Sequence, residues 1–304
     1  MKRILIIALT LIIIGAIGYG VFYIFSSDPK IASGSGNQDS GQPVIISDNQ
    51  VISEWREENR TGVSAETGLL KSWPAEGPQL IWSNITLPKG NSSVTFGNNS
   101  IYLTGNDDKN DILIALDAYG KIKWQTPYGR IWNESNPESR CTPTVEGDKV
   151  YVSSGFGDIA CIDGISGKII WSVKASETYK GKYGPWGIAE SLIIDGDKLY
   201  FTPGGNETTT IALNKNTGEL VWKTVSLGDP ASYSSPVLVE YPGLNLLVNV
   251  SPRYVFGIDA SDGSVLWKIN HRAALGKKDT TDNGQIMCVT PVYSGDKIYV
   301  TGGY

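Results

Sequence analysis

One short pattern recurs four times in this chain of 304 residues, and it limits the available folds more than any other feature. A run of alternating apolar residues leads to an Asp or Asn, then to a Gly, then to a Trp four residues beyond that Gly. The copies are ALDAYGKIKW ending at Trp124, CIDGISGKIIW at Trp171, ALNKNTGELVW at Trp222 and GIDASDGSVLW at Trp267. Their glycines are Gly120, Gly167, Gly218 and Gly263, so the Gly-to-Trp spacing is constant while successive tryptophans lie 47, 51 and 45 residues apart. A second pattern, a turn dipeptide followed by an alternating strand, appears as GDKVYV from 147, GDKLYF from 196 and GDKIYV from 295. Weaker forms are NNSIYL from 98 and LNLLVN from 244. Self-similarity at such a period marks a repeat architecture.

Each unit reads as four short strands. In the second unit they cover 141–146, 149–154, 158–163 and 168–174, parted by EGD, GFG and GISG. Period-two alternation within the runs predicts half-buried antiparallel strands. A helical solenoid fails, because no unit holds a 3.6-period stretch of ten residues. Four short strands repeated every 40–50 residues or so predict an all-β chain, a β-propeller of four-stranded antiparallel blades. Residues 93–125, 141–174, 187–224 and 233–270 form four units, and 287–304 supplies the first two strands of a fifth. The segment QLIWSNITL, with Trp82, reads as a lone outer strand.

The pattern A-x-D-A-x-T-G-x-x-x-W resembles the docking motif of the PQQ-like, quinoprotein-type β-propeller repeat, over roughly residues 79–304. That family includes quinoprotein alcohol dehydrogenases and propeller lipoproteins of outer-membrane barrel assembly. This repeat usually forms propellers of seven or eight blades, so the resemblance implies a longer parent protein. The resemblance implies that Trp124, Trp171, Trp222 and Trp267 dock each blade on its neighbour, with Gly120, Gly167, Gly218 and Gly263 as turn glycines. Asn214 replaces the usual Asp in the third unit, and the first unit is one residue short between Asp117 and Gly120. Residues 51–78 resemble the lead-in of membrane-anchored or secreted members, with Trp55, Asn59, Arg60, Gly62, Gly68, Leu69, Leu70, Trp73 and Pro74 in recurrent places. Its expected task is to cover the base or rim of the blades.

The N-terminus sets the expected compartment. Lys2 and Arg3 precede Ile4–Phe25, which holds no charged residue. Twenty-two residues span roughly 33 Å as a helix, close to the ~30 Å of bilayer hydrocarbon. Tyr19, Phe22, Tyr23 and Phe25 at its far end suit an interfacial belt, and the leading basic pair favours a cytoplasmic N-terminus. Residues 1–25 are therefore expected to be a signal anchor, a single-pass helix with the blades on the extracytoplasmic, periplasmic side. A signal cleaved near Ser33 is the alternative. Residues 26–50, rich in Gly, Ser, Asn, Asp and Gln, read as a flexible linker.

With 26 basic and 31 acidic residues, net −5, the chain does not suit an electrostatically driven nucleic-acid binder. One His rules out a multi-His metal centre, and three Cys cannot all pair. Strand parity places two classes of connection on one face: fourth-to-first (125–140, 175–186, 270–286) and second-to-third (105–111, 203–208). Both classes read as long, so that face is expected to bind. Arg140, Tyr183, Trp186, Glu190, Arg253 and Tyr254 are its candidate ligand residues, a mix of aromatic and Arg side chains that suits protein partners. Glu190 is the candidate to pair with Arg140 or to hold Ca²⁺.

Two function classes remain. One is a membrane-tethered, exported propeller acting as a binding or assembly scaffold for another protein or an extracytoplasmic ligand, with no assigned catalytic or metal residue. The other, implied by the resemblance, is a quinoprotein alcohol or sugar dehydrogenase using PQQ and calcium. The adjacent cysteines that such an enzyme normally carries over the quinone are absent here, since Cys141, Cys161 and Cys288 are far apart.

Overall fold

Two-residue turns fold the first hairpin of every unit. In the computed structural model, which describes residues 52–64, 66–274, 276 and 286–302, Asn98 and Asn99 both take φ 51° between the first two strands. Asn and Gly tolerate that left-handed geometry, and its twist matches the flanking strands. The expected membrane helix over 1–25 and linker over 26–50 lie outside the described residues.

Blade 1 comprises β1 (Thr95–Gly97), β2 (Ser100–Asn106), β3 (Asn110–Leu116) and β4 (Ile122–Arg130). Blade 2 comprises β5 (Thr144–Glu146), β6 (Lys149–Ser153), β7 (Asp158–Asp163) and β8 (Ile169–Lys174). Blade 3 is built from β9 (Ile193–Asp195), β10 (Lys198–Phe201), β11 (Ile211–Asn214) and β12 (Leu220–Lys223). Blade 4 holds β13 (Val237–Tyr241), β14 (Leu244–Val250), β15 (Tyr254–Asp259) and β16 (Val265–Asn270). A hairpin of β17 (Val292–Ser294) and β18 (Lys297–Tyr299) follows. Each blade is an antiparallel meander in sequence order.

The second and third strands are not half-buried, as alternation predicts, but buried on both faces: in β3 every residue from Asp111 to Leu116 is buried. The reason is that both faces are covered, in blade 1 by blade 2 on one side and by Trp82 and Leu87 of the preceding segment on the other. Tyr102, Leu113 and Ala115 of blade 1 form one core with Val150, Val152, Ala160 and Ile162 of blade 2. A second core joins blades 2 and 3 through Tyr151, Ile159, Leu199 and Phe201, and a third joins blades 3 and 4. The apolar interior is thus a series of blade interfaces.

The connections differ from expectation in one class. Fourth-to-first segments are long, and so is the β10–β11 connection over 202–210, as expected, but the β2–β3 connection is only residues 107–109. GNDDKND extends as strand instead, because Asp107 Oδ1 accepts the amides of Lys109 and Asn110 and closes the turn. This face is therefore built by the fourth-to-first loops together with the β10–β11 connection, which pairs with them through Gly204 and Pro230. Among the described residues, no helix is long and apolar enough to cross a membrane.

Candidate functional site

The repeated motif joins blades rather than closing a unit on itself. Trp124 Nε1 donates to Ile165 O of blade 2 at 3.1 Å, Trp171 Nε1 to Lys215 O of blade 3 at 2.9 Å, and Trp222 Nε1 to Ala260 O of blade 4 at 3.1 Å. Each ring lies over the turn glycine of the following blade: Trp124 on Gly167, Trp171 on Gly218, Trp222 on Gly263. Trp82 covers Gly120 in the same way, although its Nε1 is buried without a partner. Trp267, whose following blade is the hairpin β17–β18, lines an apolar cavity of about 500 Å³ with Val255, Ile269 and Ile298.

The rest of the motif has a physical reason too. The residue facing each Trp across the strands is small: Ala115, Cys161, Ala212 and Gly257. The Asp or Asn side chain accepts turn amides, as Asp117 does from Tyr119 and Lys121 and Asn214 from Asn216 and Thr217. The Tyr of the second pattern, unassigned by sequence reasoning, packs at a tilt against the Trp of its own blade, with centroids 6.0, 6.3 and 5.6 Å apart for Tyr102, Tyr151 and Tyr200. Tyr102 and Tyr200 also donate to carbonyls of the next blade, at Gly164 and Ala260.

A belt of hydroxyls links the central ends of the blades, just ahead of each first strand. Ser93 N donates to Thr142 Oγ1, Thr142 N to Ser191 Oγ, Ser191 N to Ser235 Oγ and Ser235 N to Thr290 Oγ1, at 2.9–3.2 Å. The only visible signal in the sequence is a Ser or Thr before Pro143, Pro236 and Pro291.

The lead-in, expected to cover the base or rim of the blades, reaches this same region. Ile52 O and Ser53 O accept the amides of Phe96 and Val145, in the first strands of blades 1 and 2. Arg60, 3% exposed, donates to Ser191 O at 2.9 Å, Pro236 O at 3.3 Å, Leu192 O, and Glu54 Oε2 at 3.1 Å. Burial lowers its pKa, opposed by the charges of Glu54 and Glu190. Glu190 precedes β9 rather than lying in a strand, and its electrostatic neighbour is Arg60, not Arg140. Its Oε2 accepts the Thr202 amide at 3.2 Å while Oε1 is buried without a partner. Burial pushes this carboxyl up to about 8, against the Thr202 hydrogen bonds and the Arg60 charge. Arg140 instead donates to the carbonyls of Ser135 and Asn136, with Asp111 as its favourable charge. Asp111 is itself pushed up to about 7 by burial, with Gly155 N–H on one oxygen.

The fourth-to-first loops converge on a cavity of about 720 Å³. Trp132 comes from the first loop, Tyr183 and Pro185 from the second, Pro230 and Tyr233 from the third, and Met287 from the fourth. The aromatic walls are held: Trp132 meets Tyr183 edge-on at 5.3 Å, and Trp186 packs on Tyr233 at 5.2 Å. Glu134 and Lys182 supply one charge of each sign to the lining.

Of the six candidate ligand residues, Tyr183 lines this cavity and Trp186 backs its Tyr233 wall. Glu190 is sealed below. Arg253 binds Asp229 and Leu227 O, and Tyr254 lies against Arg253 and Lys268. These last two belong to the blade 4 framework. Trp132 and Tyr233, which sequence reasoning did not select as ligand residues, supply more of the wall.

The described residues do not fit a PQQ and calcium site. Cys141 and Cys161 are separate, buried free thiols, and no group of three His, Cys, Asp or Glu side chains is placed to hold a metal. The buried carboxyl of Glu190 bonds the Thr202 amide and is not part of the cavity lining.

Four-stranded meanders docked in series by a Trp on the next blade's turn glycine define a β-propeller of PQQ-like repeats. The chain belongs to the family described as outer membrane protein assembly factor BamB, whose pattern it matches over residues 109–304. It is 22% identical over 250 residues to the outer membrane protein assembly factor BamB of Shewanella oneidensis, covering 79% of this chain and 55% of that protein. It is 27% identical over 169 residues to the quinoprotein ethanol dehydrogenase of Pseudomonas aeruginosa, covering 50% of this chain and 26% of that enzyme. The crystal structure of BamB from Moraxella catarrhalis aligns with a TM-score of 0.46 at 14% identity, over 69% of this chain and 54% of that one. The chain thus spans between about a quarter and about half of the length of these curated relatives.

Proposed function

We propose that this protein is an assembly scaffold of the extracytoplasmic side, attached to the membrane through its N-terminal apolar run, whose loop-face cavity takes a protein partner. The observation that supports this reading most is the convergence of four inter-blade loops on one cavity with aromatic walls already packed in place. Aromatic side chains held rigid by their neighbours bind a partner at low entropic cost. The names of the BamB relatives point to the same class of work.

The test is site-specific photo-crosslinking in the producing cell. A photoreactive residue at Lys182, exposed at the cavity, is compared with one at Ile170 on the outer strand of blade 2. A discrete protein adduct from position 182, absent from 170, is expected. No adduct, or equal adducts from both positions, overturns the reading.

A further inference from the structure

The lead-in carries a cluster of unusual backbone geometry. Arg56, Glu57, Asn59 and Arg60 have φ of 66°, 65°, 56° and 55°, all in the left-handed region and none of them glycine. Each such residue is unfavourable, and a run of them persists only where side-chain contacts over-determine the conformation. The contacts here are those of Arg60, which enters the central region and is closed off from solvent.

What the guanidinium holds is specific. Ser191 and Leu192 end the loop between β8 and β9, and Pro236 ends the loop between β12 and β13. These two loops contribute Gly181–Pro185 and Pro230–Tyr233 to the cavity. The same two loops are stitched by Ser191 N to Ser235 Oγ at their central ends, and by Ala231 N to Lys182 O and the Tyr183–Ala231 bridge further out. A planar fork of five donors can span carbonyls of two loops and a carboxylate at once, whereas an ammonium is a point charge.

We propose that Arg60 is the positioning residue of the loop-face cavity: it clasps the central ends of two of the loops that wall the cavity and fixes their spacing. The lead-in is then a working part of the site although none of its described residues lines that cavity. The consequence for partner binding rests on the reading above, but the clasp itself is measurable without any partner.

The experiment is amide hydrogen exchange on the full chain, comparing wild type with Arg60→Met and Arg60→Lys. Residues 181–187 and 228–234 are expected to exchange about ten-fold faster or more in Arg60→Met, while β6, β7, β10 and β14 stay within about two-fold. Arg60→Lys is expected to leave the loops faster than wild type. Unchanged loops, a uniform rise across all strands, or full rescue by lysine overturns the proposal. Should Arg60→Met fail to fold, Glu54→Gln decides: it removes the ion pair but keeps the carbonyl contacts, and a smaller rise confined to the two loops is expected. An unchanged Glu54→Gln profile then counts against the clasp. Loop-confined exchange together with absent crosslinking at position 182 sinks the partner reading and leaves the clasp standing.

Discussion

The indole of Trp124 lies on Gly167 of the following blade so closely that a Cβ there would sit 2.7 Å from the ring. The four-residue spacing inside each motif therefore does not measure a contact between its own Gly and Trp. It places the Trp to dock forward and the Gly to be docked upon, so a single motif serves two interfaces.

Gly167→Ala meets both the ring and a φ of +73°, whereas Gly147→Ala, at φ +54°, meets nothing within 4 Å. The first is expected to cost about 2–4 kcal/mol and the second about 1 kcal/mol. Thermal unfolding of the two variants checks this, and equal losses would remove the docking account.

The tyrosines packed on the docking tryptophans offer a matched pair. Tyr102 donates to Gly164 O at 2.9 Å, while the buried Tyr151 hydroxyl has only the weakly bonding Cys161 thiol beside it. Tyr102→Phe should cost about 1 kcal/mol, and Tyr151→Phe should be neutral or stabilising. Denaturant midpoints of both variants, read at constant m-value, decide the comparison.

Removing one hydroxyl from the central belt strands an amide. Ser191→Ala deprives the buried Thr142 amide of its acceptor and is expected to cost about 1–3 kcal/mol. Val225→Ala, which truncates a well-exposed side chain, serves as the control and should stay within about 0.5 kcal/mol. Denaturant unfolding checks both.

Glu190 makes stability depend on pH in a defined direction. Its carboxyl is raised by burial to about 8 in the folded chain, from an ordinary 4.5. Between those values the native state keeps a proton that the unfolded chain releases, so this contribution is fully present below pH 4.5 and lost as pH rises to about 8. The slope from one such group is at most about 1.4 kcal/mol per pH unit. Glu190→Gln keeps an acceptor for Thr202 without the titration, so its advantage in Tm over wild type should grow from pH 5 to a plateau just above 8. A difference independent of pH would show that Glu190 does not titrate in this range.

The sequence by itself determined the blade. Turn residues, two-residue periodicity, and the paired Gly and Trp are local signals, because each follows from backbone geometry within a few residues. Asp117 and Asn214 could be read as turn formers, and the strands around Trp171 placed to within a few residues, for that reason. What only the tertiary structure decided is what meets what between blades. That Trp124 touches Gly167 rather than Gly120, that Arg60 donates to Ser191 O and Pro236 O, and that the charge acting on Glu190 is that of Arg60 rather than Arg140 all depend on side chains far apart in the chain. The candidate site was half legible for the same cause. Trp132, Tyr183 and Trp186 stood out by residue type and loop position, but Tyr233 gains its place only because four separate loops end at one cavity. Local geometry specifies each repeat, and burial against the neighbouring repeat gives its side chains their partners.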